Sequence, residues 1–206
     1  MADKTVAEAP RRGRPRSERA RSAILAAAAD LLLEAGLDAV SMDAVARRAG
    51  VSKATIYRWW PAKETLALDA VYDQWETASR LTRSTDSLRG DLLVVMRPWV
   101  RLITRRPYAR VIAALVAKAQ SDEAFGEEYR AHFLEPRRRD AGEIFQRAIE
   151  RGEIPADTNI DVALDLLFGP FYHRMLQGHG TLNERYTREV VDTVVAGLRG
   201  GPGAGR

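Results

Sequence analysis

The chain has 206 residues, contains no cysteine and carries a formal net charge of +4 at pH 7. The lack of cysteine excludes disulfide frameworks, thiolate nucleophiles and thiolate metal sites, which favours a cytoplasmic protein. No apolar run approaches the roughly 18 residues of a membrane span, so we expect a soluble protein without a membrane partner. The first 60 residues hold 11 Lys and Arg against 7 Asp and Glu, and the remainder holds 21 of each. A polyanion is therefore the expected partner of the N-terminal part.

An arginine-rich stretch, RRGRPRSERAR, spans Arg11 to Arg21. Its Arg-Gly-Arg-Pro core resembles the AT-hook, an extended element whose arginines lie in the narrow minor groove of A·T-rich DNA. We therefore expect a flexible basic arm over residues 1–16, with Arg12, Arg14 and Arg16 as DNA contacts. An ordinary solvated charge run is the alternative.

Helical periodicity dominates the rest of the chain, which predicts an all-α fold. The first helix is expected to begin at the N-cap Ser17 and to stop at Gly36. Two short helices follow, and their predicted N-caps are Ser41 and Ser52, each preceded by a valine that packs on the first turn. The three-residue linker between them contains Gly50. This pattern is typical of a helix-turn-helix, although a generic αα-hairpin shares it.

The next elements divide the chain into two parts. Pro61 ends the second short helix, and a longer helix is expected over about 63–80. The polar stretch RSTDSLRG predicts a boundary near Thr85, which separates a DNA-binding domain (17–80) from a helical regulatory and dimerisation domain (85–200) and a flexible tail (201–206). Pro136 leaves open whether its segment is one helix or two. The helices expected in the second domain cover 87–105, 107–119, 123–151, 159–178 and 183–199.

The second short helix has an inward face formed by Ile56 and Trp60. A recognition helix enters the major groove by its N-terminal end, and its first residues are therefore the candidates for base contacts: Lys53, Ala54 and Thr55. The further candidates for DNA contacts, mainly to phosphates, are Ser41, Arg48, Ser52, Tyr57, Arg58 and Lys63.

Residues 23–68 resemble the DNA-binding domain of the tetracycline-repressor (TetR/AcrR) family. The resemblance implies Thr55 and Tyr57 as DNA contacts, Lys63 as a phosphate contact, and a ligand-binding, dimer-forming body. Trp59-Trp60 departs from the family, which more often has His or Tyr before Phe. The matching pieces are Glu34-Ala35-Gly36, Ala49-Gly50-Val51-Ser52, Thr55-Ile56-Tyr57 and Lys63-Glu64-Thr65-Leu66, with a weaker likeness at 133–138 and 167–172.

Apolar and aromatic residues at helical spacing in the second domain are typical of a small-molecule pocket and equally of an ordinary core. His173 is expected either to bind a ligand or to be a core or interface histidine. The candidate pocket residues are Met96, Trp99, Ile103, Ile112, Leu115, Phe133, Phe145, Phe168, Tyr172, His173 and Met175.

Two apolar stripes in the last two helices predict a symmetric dimer. Part of each stripe must pack within the chain, and the remainder is expected to form a four-helix seam with a second copy. The stripes are Leu164, Leu167, Phe168, Phe171 and Met175, and Val190, Val191, Val194, Val195 and Leu198.

No spacing of catalytic or metal-binding residues is present, because the three histidines lack a metal motif. We therefore expect neither an enzyme nor a cofactor. The sequence predicts a homodimeric, sequence-specific repressor that a small, largely apolar or aromatic ligand releases from a palindromic operator. A non-specific or architectural DNA-binding dimer without a ligand switch is the alternative.

Overall fold

The computed structural model describes residues 14–79 and 85–200. Within these ranges the chain forms ten α-helices, a 3-10 turn (Leu37–Ala39) and a π-helical turn (Arg130–Leu134), and no β-strand. The all-α prediction is confirmed. The helices are α1 (Arg14–Ala35), α2 (Met42–Ala49), α3 (Lys53–Tyr57), α4 (Lys63–Ser79), α5 (Leu88–Ile103), α6 (Arg106–Ser121), α7 (Glu123–Tyr129), α8 (Glu135–Glu150), α9 (Ile160–Gln177) and α10 (Glu184–Gly200).

The first helix begins earlier than the sequence predicts. α1 starts at Arg14, so Ser17 lies inside it and is not its N-cap. Pro15 is the second residue of the helix, where its missing N–H would have had no intrahelical partner. The prediction of a flexible arm over residues 1–16 is therefore wrong from Arg14 onward, where the chain is helical.

One contiguous apolar core joins the four N-terminal helices, here called the head, to α5–α10, here called the body. In the head, α1 packs against α2 and α4. The head meets the body where α1 packs on α6, and where α4 packs on α5, α7 and the π-helical turn. In the body, α5 contacts α6, α8 and α10, and α9 packs between α8 and α10. Through these contacts α1 and α4 connect the head to the body.

The predicted body helices are confirmed with ends that shift by a few residues, except the one expected over 123–151. That segment is divided into α7, the π-helical turn and α8. Pro136 is the second residue of α8 and has no N–H to donate into the preceding turn. The N–H of Glu135 reaches back five residues to the carbonyl of Arg130, which widens the helix at this point.

A single carboxylate ties three body helices together. The N–H of Leu88, at the start of α5, donates to both carboxylate oxygens of Glu153, at 3.0 and 2.9 Å. Arg151 after α8 lies 2.6 Å away and Arg199 in α10 lies 3.4 Å away. Burial opposes ionisation of Glu153, but the hydrogen bonds from Leu88 and Arg151 outweigh it and lower its pKa.

Candidate nucleic-acid interface

The turn between α2 and α3 is closed by a left-handed glycine and a backbone hydrogen bond. Gly50 has φ 66° and ψ 34°, a conformation that costs glycine little. The N–H of Val51 donates to the carbonyl of Ala46 at 3.1 Å, which ends α2. Helix, three-residue turn and helix therefore follow one another as the helix-turn-helix prediction requires.

Serine side chains cap both helices of this motif, as predicted. The Ser41 Oγ accepts the N–H of Ala44 at 3.1 Å, and the Ser52 Oγ accepts the N–H of Thr55 at 3.2 Å. The Ser52 Oγ also lies 2.9 Å from the Thr55 Oγ1. The two hydroxyls at the start of α3 are thus bonded to each other, which fixes how Thr55 presents its methyl group and its oxygen.

α3 places one side chain in the core and most of the others at the surface. Ile56 is fully buried, and Trp60, just beyond the helix, is 3% exposed. Tyr57 is 53% exposed and presents its ring and hydroxyl to solvent. Thr55 is half-buried. The other predicted contacts of this segment are all exposed: Ser52, Lys53, Ala54 and Arg58.

Two predicted cationic contacts are engaged in ion pairs inside the head. The Lys53 Nζ lies 2.8 Å from Asp43 Oδ1, and the Arg48 Nη1 lies 2.8 Å from Glu34 Oε1. The hydrogen bond from Lys53 to Asp43 raises the pKa of Lys53, and Glu34 acts on Arg48 in the same direction. Both cations are charged, and any anion that binds them has to compete with these carboxylates. Sequence reasoning missed this competition.

The remaining predicted contacts lie around the motif. Ser41 is exposed at the start of α2, and Lys63 is half-buried as the first residue of α4. The backbones of Arg14 and Arg16 belong to the first turn of α1, whereas Arg12 lies outside the described residues.

In the body, most candidate pocket residues are buried in the shared core. Four of them meet around one guanidinium: Trp99, Phe133, Phe168 and Tyr172. The Arg137 guanidinium carbon lies 5.2 Å from the Trp99 ring centroid and 4.8 Å from that of Phe133. The buried candidates are Met96, Trp99, Ile103, Ile112, Leu115, Phe133 and Phe145, and the half-buried ones are Phe168, Tyr172 and Met175.

Sequence reasoning missed two polar members of this aromatic cluster, Arg137 and Tyr129. Arg137 is 4% exposed, and its Nη1 donates to the Tyr172 hydroxyl at 3.2 Å. Tyr129 stacks on Phe133 with ring centroids 5.2 Å apart. Burial, together with the neighbouring Tyr172, raises the pKa of Tyr129. The cluster therefore combines a cation, two phenol side chains and apolar rings. The sequence did contain a signal for Arg137: it is an arginine close to an aromatic residue, two positions after Phe133-Leu134-Glu135.

His173 does not join the aromatic cluster. Its side chain is exposed, and its ring lies 4.7 Å from that of His179. The interpretation of His173 as a core histidine is wrong, because the residue lies about 100° around α9 from Tyr172 and faces solvent. Its role as an interface histidine stays a prediction.

An open apolar groove of about 550 Å³ runs between α9 and α10. The two apolar stripes that the sequence indicated pack mostly within the chain, since Leu164, Leu167 and Phe171 are buried. The exposed apolar surface is the adjacent face of α9, where Val162 is 51% and Leu166 54% exposed. The groove is lined by Leu166, Pro170, Tyr186, Glu189, Val190, Thr193, Val194, Gly197 and Leu198.

The fold and the exposed face of α3 define a helix-turn-helix DNA-binding protein. Residues 24–70 match the sequence model described as "Bacterial regulatory proteins, tetR family". Residues 82–194 match the one described as "Tetracyclin repressor-like, C-terminal domain". The chain belongs to the TetR family of DNA-binding transcriptional regulators and is not an enzyme, as the sequence predicts.

Relatives support the same assignment along nearly the whole chain. An uncharacterized HTH-type transcriptional regulator, YdeS of Bacillus subtilis (strain 168), is 39% identical over 92% of this chain and 94% of its own length. The DNA-binding transcriptional repressor TetR of Mycobacteroides abscessus is 30% identical over 87% of this chain and 94% of its own. The crystal structure of the TetR family transcription regulator SCO0332 aligns with a TM-score of 0.75 and 34% identity, over 87% of this chain and 98% of its own.

The described part of the chain has neither a metal-binding cluster nor a membrane-spanning helix. No group of three or more His, Asp or Glu side chains there lies close enough to hold a metal ion. No described helix is long and apolar enough to cross a membrane.

Proposed function

We propose that the protein is a homodimeric repressor that binds a palindromic operator and is released from it by a small, largely apolar or aromatic ligand. The observation that carries the proposal is the exposed face of α3, where Lys53, Ala54, Tyr57 and Arg58 surround a single buried anchor, Ile56. A helix with this distribution is built to contact a surface outside the chain. The M. abscessus relative is itself named a repressor.

Base and phosphate contacts divide along α3. Lys53, Ala54 and Thr55 lie at its N-terminal end, which enters the major groove first, and we assign them to base edges. We assign phosphate contacts to Tyr57 and Arg58, to Lys63 at the start of α4, and to Ser41, Arg48 and Ser52 at the motif's edges. Arg12, Arg14 and Arg16 precede the motif and are proposed to add electrostatic affinity.

Dimerisation is supported by the unpartnered apolar surface of the last two helices. Val162 and Leu166 lie one turn apart on α9, beside a groove that Tyr186, Val190 and Leu198 also line. A two-fold axis through this surface buries the same patch of both copies. It also sets two recognition helices at a fixed separation, which a palindrome requires.

Ligand binding is supported by the aromatic cluster in the body. Trp99, Phe133 and Phe168 supply apolar walls, while Arg137 and Tyr172 supply oriented polar groups, the combination that small-molecule sites use. A ligand that displaces this cluster acts on α5 and α8, and α5 packs against α4 of the head. Ligand and operator then oppose each other by a coupling free energy of typically about 1–3 kcal/mol.

The test is a genomic footprint with the purified protein. A footprint confined to palindromic sites supports the repressor, whereas uniform coating of DNA supports the architectural alternative. Replacing Tyr57 with Phe and Lys63 with Ala together should weaken binding to every sequence alike. Changes at Lys53 or Thr55 should instead alter the preference among operators. A normal footprint for the double variant would defeat the assignment of Tyr57 and Lys63.

A further inference from the structure

A second cleft lies where the head meets the body. It encloses about 160 Å³ between the segment from Trp59 to Asp69 on the head side and Glu128 and His132 on the body side. None of the DNA contacts assigned above lines it, and neither does the aromatic cluster around Arg137. The regulatory function proposed above therefore leaves this cleft unexplained.

Two tryptophans form one corner of the cleft. The rings of Trp59 and Trp60 have centroids 5.5 Å apart and planes inclined by 64°. Trp60 is buried, and its Nε1 donates to Asp69 Oδ2 at 2.8 Å, which fixes the indole in place. Trp59 is half-buried and supplies the more accessible ring. A rigid aromatic corner with a π-face toward open space attracts cations.

The chain itself shows that this corner attracts a cation. The Arg21 guanidinium carbon lies 5.7 Å from the Trp60 ring centroid, and its Nη2 lies 3.5 Å from Asp69 Oδ2. Aromatic face and carboxylate therefore act together on one positive group from α1. Arg21 is half exposed and is not among the residues that line the cleft.

The opposite wall adds a carboxylate. The exposed Glu128 side chain has no hydrogen bond or ion pair with the residues that the structure describes, and its backbone carbonyl lies 3.1 Å from His132 Nδ1. Asp69, Glu128 and His132 do not form a metal-holding group within the described ranges. Tryptophan faces flanked by separated carboxylates instead suit an organic cation, whose charge is spread over several carbon-bound hydrogens.

We propose that this junction cleft is a binding site for a small organic ammonium ion. The cation lies against Trp59, with Asp69 on one side and Glu128 on the other. Because its walls come from both head and body, the bound cation contacts both parts of the chain. The proposal goes beyond operator binding and ligand release, and either can fail without the other.

The test is an NMR titration of the full-length protein with tetramethylammonium chloride, compared with sodium chloride at equal ionic strength. The indole N–H signals of Trp59 and Trp60 should shift saturably with the organic cation and not with sodium. The indole of Trp99, inside the body, should stay in place. Unsaturable shifts, or shifts centred on Trp99, would overturn the proposal.

Variants separate binding from folding. Trp59→Leu should weaken the cation's affinity about tenfold, and Trp59→Phe, which keeps an aromatic face, should restore most of it. Glu128→Gln should weaken it about threefold, as the loss of an exposed ionic contact does. Glu127→Gln, an exposed neighbour that does not line the cleft, is the matched control. Equal affinities for the Trp59→Leu variant and the original protein, with both folded by circular dichroism, would refute the assignment.

Discussion

The head and the body are both helical, but different interactions determine their structures. In the head, each short helix begins at a serine whose side chain bonds three residues ahead, and α2 ends at a glycine. In the body, Glu153 bonds Leu88, which lies 65 positions earlier, and Arg137 bonds Tyr172, 35 positions later. Local signals set the ends of the short helices in the head, whereas contacts distant in sequence hold the helices of the body together. The structure of the short head helices can therefore be predicted from neighbouring residues in the sequence, whereas the packing of the body helices cannot.

The largest effect is expected at the α9–α10 groove. Leu166→Glu places a charge on the apolar face proposed to join two copies, where burying it unpaired costs several kcal/mol. The variant should sediment as a monomer and lose operator affinity by about 100-fold or more, since one head alone contacts one half-site. Ala124→Glu, at an exposed position of α7, should leave both properties unchanged. A dimeric Leu166→Glu variant would show that the copies meet elsewhere.

The next-largest effect is expected at the long-range hydrogen bonds between Glu153 and Leu88 in the body. Glu153→Gln should lower the free energy of unfolding by about 1.5–3 kcal/mol at pH 7, the usual contribution of hydrogen bonds to a charged acceptor. Because the folded-state pKa of Glu153 is lowered, its contribution is present above the unfolded pKa of about 4.3. It is lost as the pH falls through the folded value.

Urea denaturation at pH 7 and at acidic pH measures this directly. The difference between the original protein and Glu153→Gln should shrink on acidification. The exposed Glu143→Gln serves as the control and should show little difference at either pH. A gap that stays constant with pH would contradict the role assigned to the ionised carboxylate.

A smaller effect compares equivalent caps in the two regions. Ser52 caps α3 in the head, and Ser87 caps α5 in the body, where its Oγ accepts the N–H of Gly90 at 3.2 Å. Replacing either serine with alanine should cost about 1 kcal/mol of stability. Only Ser52→Ala should also weaken operator binding in a gel-shift assay, because only its helix faces DNA. Equal operator affinities for the two variants would remove α3 from the interface.

The smallest effect concerns the carboxylate that holds Lys53. Asp43→Asn removes the ion pair at 2.8 Å and one negative charge beside the proposed DNA surface. Operator affinity should rise by about two- to fivefold, the range of an exposed ion pair, and the gain should diminish at high salt. The control Asp157→Asn removes an exposed charge in the body. A fall in affinity would mean that Asp43 orients Lys53 for DNA instead of competing with it.

The sequence predicts the head well because its signals are contained within a few residues. The caps Ser41 and Ser52 and the buried anchor Ile56 follow from adjacent letters alone. The start of α1 does not follow from adjacent residues, because Pro15 is compatible both with the first turn of a helix and with an extended arm. At this point the residue pattern is compatible with two backbone conformations.

In the body, the same reasoning finds the helices but not their neighbours. Periodicity places Leu167 and Phe171 on one apolar stripe of α9 and leaves Leu166 outside it, yet it cannot show that this stripe packs within the chain while the exposed apolar surface lies at Leu166. That division depends on where α8 and α10 lie. The guanidinium of Arg137 was missed for the same reason, because its aromatic partners come from three separate helices.

α3 is five residues long, too short to persist as a helix without the rest of the head. Its fold depends on the cap Ser52 and on Ile56, and the exposed positions Lys53, Ala54, Tyr57 and Arg58 contribute little to the core. Substitutions there can accumulate in a lineage without unfolding the protein. On the proposed role of α3, a duplicated copy of this gene is therefore able to acquire new target DNA sequences through surface changes alone.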